Sequence, residues 1–372
     1  MASPYRFQAS TRIVGGRNLL QGSTLREELT RTGARRLLLV TDRGVVQAGL
    51  EEQVRQAAGD MVIDSFDGCV PNAEASTVAV LADRIRRAGA DGLLALGGGS
   101  VMDTAKAAAM LITLGGDSIL EHLTTRLTQP LNLRLICIPT TAGTGSEVSI
   151  GAVIKDTARG LKIPLGSQYL VPDLAILIPE LTAGLPAPLT AATGFDALTH
   201  AIEAYLSPRA NPLTDALALD AMKRIIRWLP EAMDHPGELT AREQMLAAAS
   251  MAALAFNSAM LGACHAVAHA LGGQHEVPHG VANALLLPTV MAFNEEACKP
   301  RWPALSLALG GADPVTLVTA LRSRLGLPDR LSKVGVTPSP ALVQAAMADP
   351  FMKLNPRPVT EADVQTWLEH LR

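Results

Sequence analysis

Gly92-Leu93-Leu94-Ala95-Leu96-Gly97-Gly98-Gly99-Ser100-Val101-Met102-Asp103-Thr104-Ala105-Lys106 reads as a buried strand, a glycine turn and the opening of a helix. Glycine lets a backbone approach a ligand closely and tolerates positive φ. A helix N-terminus aims free N–H groups and a partial positive charge at an anion. Three successive glycines cost backbone entropy that a plain tight turn does not require, so Gly98, Gly99 and Ser100 are read as a phosphate-binding turn, with Ser100 as a cap. The spacing is not that of the G-x-G-x-x-G dinucleotide fingerprint, so alone it indicates a phosphate or pyrophosphate.

Working outward, short apolar runs alternate with helical patterns. Strands are expected at residues 36–41, 61–66, 92–96 and 133–138, and helices at 44–58, 77–88 and 101–114. Continuous apolar strands alternating with helices imply a parallel sheet covered on both faces. Beyond about Leu181 strand patterns vanish and Ala/Leu-rich helical segments take over. The Pro/Gly-rich segment 179–188 suggests a boundary, giving an α/β domain over 1–181 and an all-helical domain over 182–372.

A second polar loop, residues 139–147 with Thr140, Thr141 and Thr144, follows the strand at 133–138. Both loops would lie at carboxyl ends of parallel strands, where open α/β sheets bind ligands. Asp42 ends an earlier strand. It suits an adenosine ribose hydroxyl and would repel a 2′-phosphate, favouring NAD over NADP; a helix cap is the alternative.

The helical half holds unusual polar residues. Asp196 and His200 stand four apart in an apolar helical stretch, and His265 and His269 repeat that spacing. Residues four apart share a helix face. His279 follows a proline at a turn. Buried ionisable groups are costly unless paired or coordinated, so a carboxylate with imidazoles points to a divalent metal, Fe²⁺ or alternatively Zn²⁺. Cys264 would face about 100° away from His265 on a helix and is read, like Cys69, Cys137 and Cys298, as a free thiol.

Composition narrows the classes. The 372 residues are 48% apolar with a formal net charge of −3 and no long basic run, which excludes nucleic acid and anionic membrane surfaces as expected partners. No membrane-length apolar stretch and no signal-peptide core is apparent, so a cytoplasmic location is expected.

These motifs together resemble the iron-containing (group III) alcohol dehydrogenases, whose wording matches residues 97–106 (GGGSVMDTAK), 139–149 (PTTAGTGSEVS), 194–205 (GFDALTHAIEAY) and 265–283 (HAVAHALGGQHEVPHGVAN). The resemblance implies a Rossmann-like N-terminal domain and an all-α C-terminal domain, the architecture shared with dehydroquinate synthase-like enzymes, with the active site in the cleft between them. It implies Asp196, His200, His265 and His279 as metal ligands and His269 as a non-ligand in the proton path. It implies Asn72, Asp103 and Lys162 near NAD, a small alcohol or aldehyde as substrate, and a homodimer or larger assembly. Residues 166–169 (GSQY) and His275 depart from the family's usual wording, which leaves the substrate open. The alternatives are maleylacetate reductase-like, glycerol dehydrogenase-like and dehydroquinate synthase-like enzymes.

Overall fold

The structure is a computed structural model that describes residues 5–125 and 127–372. One compact unit comprises Ala9–Thr141 with Ser146–Gly184, and the other is built mainly from Leu185–Arg372 with Ala142–Gly145.

The first unit contains strands β1 (Arg12–Gly15), β2 (Leu37–Asp42), β3 (Val62–Cys69), β4 (Gly92–Gly97), β5 (Arg134–Pro139), β6 (Gly151–Asp156), β7 (Leu161–Gly166) and β8 (Leu174–Leu177). Six form one sheet in the order β1-β8-β5-β4-β2-β3, parallel throughout. The apolar runs are continuous because each sheet face has its own core. Leu38, Val40, Leu93, Ala95, Leu135 and Cys137 pack on one face, while Leu37, Leu39, Leu94, Leu96, Ile136 and Ile138 pack on the other. That alternation is the two-residue period of a strand. Chain direction across the sheet reverses between β2 and β4, so Asp42 and Gly97 end neighbouring strands at a topological switch point.

Several expectations are corrected. Residues 44–58 form two helices, Arg43–Gln47 and Leu50–Ala58, broken at Gly49 with φ +73°. The glycine-loop helix starts at Gly99 and runs to Leu114, so Ser100 lies in its first turn and is not its cap. No glycine from 97 to 99 takes positive φ; their service is space, not unusual dihedrals. Strands β1 and β8 and the antiparallel hairpin β6–β7 were not legible as strands in the sequence.

The second unit is helical. Its core is dominated by alanine and leucine, and the helix Ala187–Leu206 has 16 buried residues on all sides. Such a helix belongs at the centre of its unit. One helical run, His279–Arg324, contains an 18-residue window of mean hydropathy 1.5, a third of it buried; the run comprises the separate helices His279–Cys298, Trp302–Leu309 and Pro314–Arg324. In the helix His279–Cys298, Ala282, Leu285, Leu286, Val290 and Met291 pack into the unit's own core.

Candidate metal and nucleotide sites

The helix Ala187–Leu206 presents Asp196, His200 and Glu203 at spacings of four and three, hence on one face. The helix Ala263–His275 contributes His265 and His269. His279 opens the helix His279–Cys298, with Asn283 one turn later. A methyl group on Gly280 would lie 2.1 Å from the Ala192 carbonyl oxygen, so only glycine lets this helix start against the Asp196 helix.

Asp196, His200, His265 and His279 each place one ligand atom within 4.8 Å of all the others. Asp196 Oδ1 lies 3.5 Å from His279 Nε2, 3.8 Å from His265 Nε2 and 3.9 Å from His200 Nε2. Donors about 2.1 Å from a tetrahedral ion stand about 3.4 Å apart, close to these separations. His200 stacks on His265 with centroids 4.6 Å apart and packs against Phe256, yet its buried Nδ1 finds no hydrogen-bond partner among the described residues. Asn283 Nδ2 donates to Asp196 Oδ1 at 2.7 Å and faces His265 Nε2 and His279 Nε2 at 3.2 and 3.3 Å. The remaining amide hydrogen faces both ring nitrogens, a placement that favours the Nε2 lone pair over an Nε2 proton.

The electrostatics suit a cation. Burial works to raise the Asp196 carboxyl, but His200, His279 and His265 outweigh it and hold the group below the usual carboxylate range. Burial, helped by neighbouring His200, pushes His265 well below the ordinary imidazole range, so it stays neutral and keeps its ligand lone pair. Three imidazoles and one carboxylate, buried and convergent, fit a divalent transition metal.

His269 stands beside this group, its ring stacked on His279 at 5.4 Å. Its Nδ1 meets Asp349 Oδ2 at 2.8 Å. His275 is the exposed last residue of its helix and takes no part. Tyr169 is half-buried against the α/β unit's core.

In the α/β unit the nucleotide candidates divide. The helix Gly99–Leu114 has no side-chain cap, so its first N–H groups stay available at the sheet's carboxyl end. Ser100 Oγ accepts from the Asn72 amide at 3.1 Å, and Asn72 itself takes φ +67°. Thr140 N donates to Gly97 O at 3.0 Å, joining the two loops. Thr141 lies over Gly98, its Oγ1 3.4 Å from where a Cβ would stand. Lys162 is half-buried on β7 opposite Lys155, whereas Thr144, also half-buried, belongs with Ala142–Gly145 to the helical unit. Asp42 Oδ1 caps the following helix through Val45 N at 3.0 Å. Asp103 is engaged within the chain: it accepts from Ser146 Oγ at 2.7 Å and Val153 N at 2.9 Å.

Four residues escaped sequence reasoning. Glu203 meets His265 Nδ1 at 2.5 Å, and its place seven after Asp196 was a usable signal. Asn283, four after His279, carried the same kind of signal. Lys106, three after Asp103, is fully buried and donates to Ser149 O, Ser149 Oγ and Gly151 O at 2.9, 3.0 and 2.8 Å. Asp349 is 80 residues from His269, and no local pattern announces it.

Comparison with known proteins matches residues 10–179 to the iron-containing alcohol dehydrogenase model and residues 190–371 to the C-terminal model of the Fe-containing alcohol dehydrogenase family. The chain is 42% identical over 347 residues to "Probable alcohol dehydrogenase EutG" of Salmonella typhimurium, covering 91% of this chain and 88% of that protein. A solved 1,3-propanediol oxidoreductase superposes with a TM-score of 0.94 at 34% identity, covering all of both chains. Sulfoacetaldehyde reductase from Bifidobacterium kashiwanohense, solved in complex with NAD⁺, gives 0.91 at 30% identity over 100% of this chain and 99% of that one.

Proposed function

Because the chain belongs to the iron-containing alcohol dehydrogenase family, and so is an oxidoreductase of alcohols, we propose that Asp196, His200, His265 and His279 hold one divalent cation, Fe²⁺ before Zn²⁺, and that the α/β unit holds NAD. The observation that carries this reading is the convergence of those four side chains within 4.8 Å. When bound, the cation supplies Lewis acidity toward a substrate oxygen and NAD supplies the hydride carrier.

The chain's own residues do the rest. Asp196 brings a negative charge that offsets that of a cation, and His265, kept neutral by its burial, remains a lone-pair donor. Asn283 holds Asp196 Oδ1 in place. Asp349 fixes the His269 proton on Nδ1 and leaves Nε2 to accept or return the substrate hydroxyl proton, the task of a general base near neutral pH. Gly98, Gly99 and Ser100 with the helix's first N–H groups support the pyrophosphate, and Asn72, Thr140, Thr141 and Lys162 of the same unit surround the rest of the nucleotide. Asp42, with one oxygen spent on its cap, offers the other to a ribose hydroxyl and disfavours NADP. The substrate class is a small alcohol or its aldehyde, and the working assembly a homodimer or larger.

The test is elemental analysis of anaerobically purified protein, followed by an NAD-coupled screen of short alcohols, diols and aldehydes. His265→Ala should lose both metal and turnover. Full turnover in that variant, or net reaction without NADH production or consumption, overturns the reading.

A further inference from the structure

We propose that Glu203 is a positioning residue for the metal site: it fixes His265 as an Nε2 donor and caps the helix that carries His265 and His269. This rests on the metal reading above and deepens it.

Helix Ala263–His275 has no side-chain cap of its own, since its flanking residue is Gly262. A helix start leaves N–H groups that must find partners when buried. Here Glu203 supplies them from another helix. Gly262 N donates to Glu203 Oε2 at 3.0 Å and Cys264 N to Oε1 at 2.8 Å. Ala263 N between them reaches Asn355 Oδ1 at 3.4 Å. A Cβ on Gly262 would lie 3.0 Å from Glu203 Oε1, so glycine at that position makes room for the carboxylate.

The same carboxylate takes His265 Nδ1 at 2.5 Å. A carboxylate that already accepts two amides has only acceptor capacity left, so the imidazole must donate. Its proton then sits on Nδ1 and its lone pair on Nε2. An independent contact agrees: the Asn283 amide, a donor, faces Nε2 at 3.2 Å. Asp196, His200 and Glu203 thus come from one face of one helix, two as candidate ligands and the third as the group that orients another ligand. Carboxylates in this relation to a ligand histidine govern metal affinity.

The test is titration with Zn²⁺ and Co²⁺, each alone in competition with a chelator, with NADH binding followed by fluorescence. Glu203→Gln has one carbonyl oxygen where the carboxylate has two, so Gly262 N, Cys264 N and His265 Nδ1 no longer all find an acceptor, and the hold on the His265 Nδ1 proton and on the helix start is lost together. Affinity for both ions should fall about 10- to 100-fold, the Co²⁺ visible spectrum should change, and NADH affinity should hold. If E203Q does not fold, Gly262→Ala, which crowds the carboxylate without removing it, should weaken Zn²⁺ binding about threefold to tenfold. An E203Q or G262A protein that merely melts earlier, yet keeps wild-type Zn²⁺ affinity below its melting range, overturns the proposal. Wild-type protein that takes up neither ion overturns the underlying metal reading instead.

Discussion

Gly280 offers the sharpest test of how the histidine group is held together. In an exposed helix, glycine to alanine ordinarily stabilises by about 1 kcal/mol. Here the added methyl would stand 2.1 Å from the Ala192 carbonyl oxygen, where side-chain carbons keep at least 3.0 Å. The first turn of helix His279–Cys298 must therefore retreat by about 0.9 Å, the difference between those distances, from the helix carrying Asp196. Forced expansion of a packed contact costs about 1–3 kcal/mol, which reverses the usual sign. His279 is the neighbouring residue, and metal donors tolerate displacements of only about 0.2 Å. G280A should thus fold with a lowered melting temperature and lose about tenfold or more in Zn²⁺ affinity, read by chelator competition and elemental analysis. Gly237→Ala is the control, because nothing lies within 4 Å of its added carbon. A G280A protein with wild-type metal affinity would show that the approach of these two helices does not set the site.

Lys106→Met removes the ammonium that serves the buried Ser149 carbonyl and hydroxyl and the half-buried Gly151 carbonyl, which keeps the Ser149 hydroxyl as donor, and leaves Asp103 without its neighbouring charge. Losses of about 1–3 kcal/mol per orphaned group, partly offset by removing a buried ammonium, predict a net cost near 2–4 kcal/mol in chemical denaturation. Because the segment 146–153 leads from the threonine loop into the hairpin bearing Lys162, NADH affinity should fall with it; unchanged stability and affinity would contradict this account. Asp42→Ala should raise the ratio of kcat/KM for NADP⁺ over NAD⁺ about fivefold or more, given roughly 1–4 kcal/mol of like-charge repulsion. It should also cost about 1 kcal/mol for the lost cap; an unmoved ratio would remove Asp42 from cofactor choice. All four cysteines are buried, and burial pushes the Cys69 and Cys137 thiols up to about 12, so thiolate is scarce at pH 8. Thiol reagents should therefore find none of them until denaturant is added; rapid labelling of the native protein would contradict the packing.

The chain's own letters determined the local features: the apolar runs of β2, β4 and β5, the glycine turn, the change to helices, and the four-residue spacings of Asp196 with His200 and His265 with His269. Each rests on a period or a dihedral preference acting within a few residues, which is why each was legible. Gly49's helix break, the short strands β1 and β8 and the β6–β7 hairpin were not, because their patterns are brief or mixed and neighbouring strands complete them. Tertiary structure alone decided which groups meet. It gave Asp103 to Ser146 and Val153, His265 to Glu203 and His269 to Asp349, partners 43 to 80 residues away. A buried polar atom takes whatever partner the fold brings within hydrogen-bond reach, and distance along the chain carries no record of that encounter.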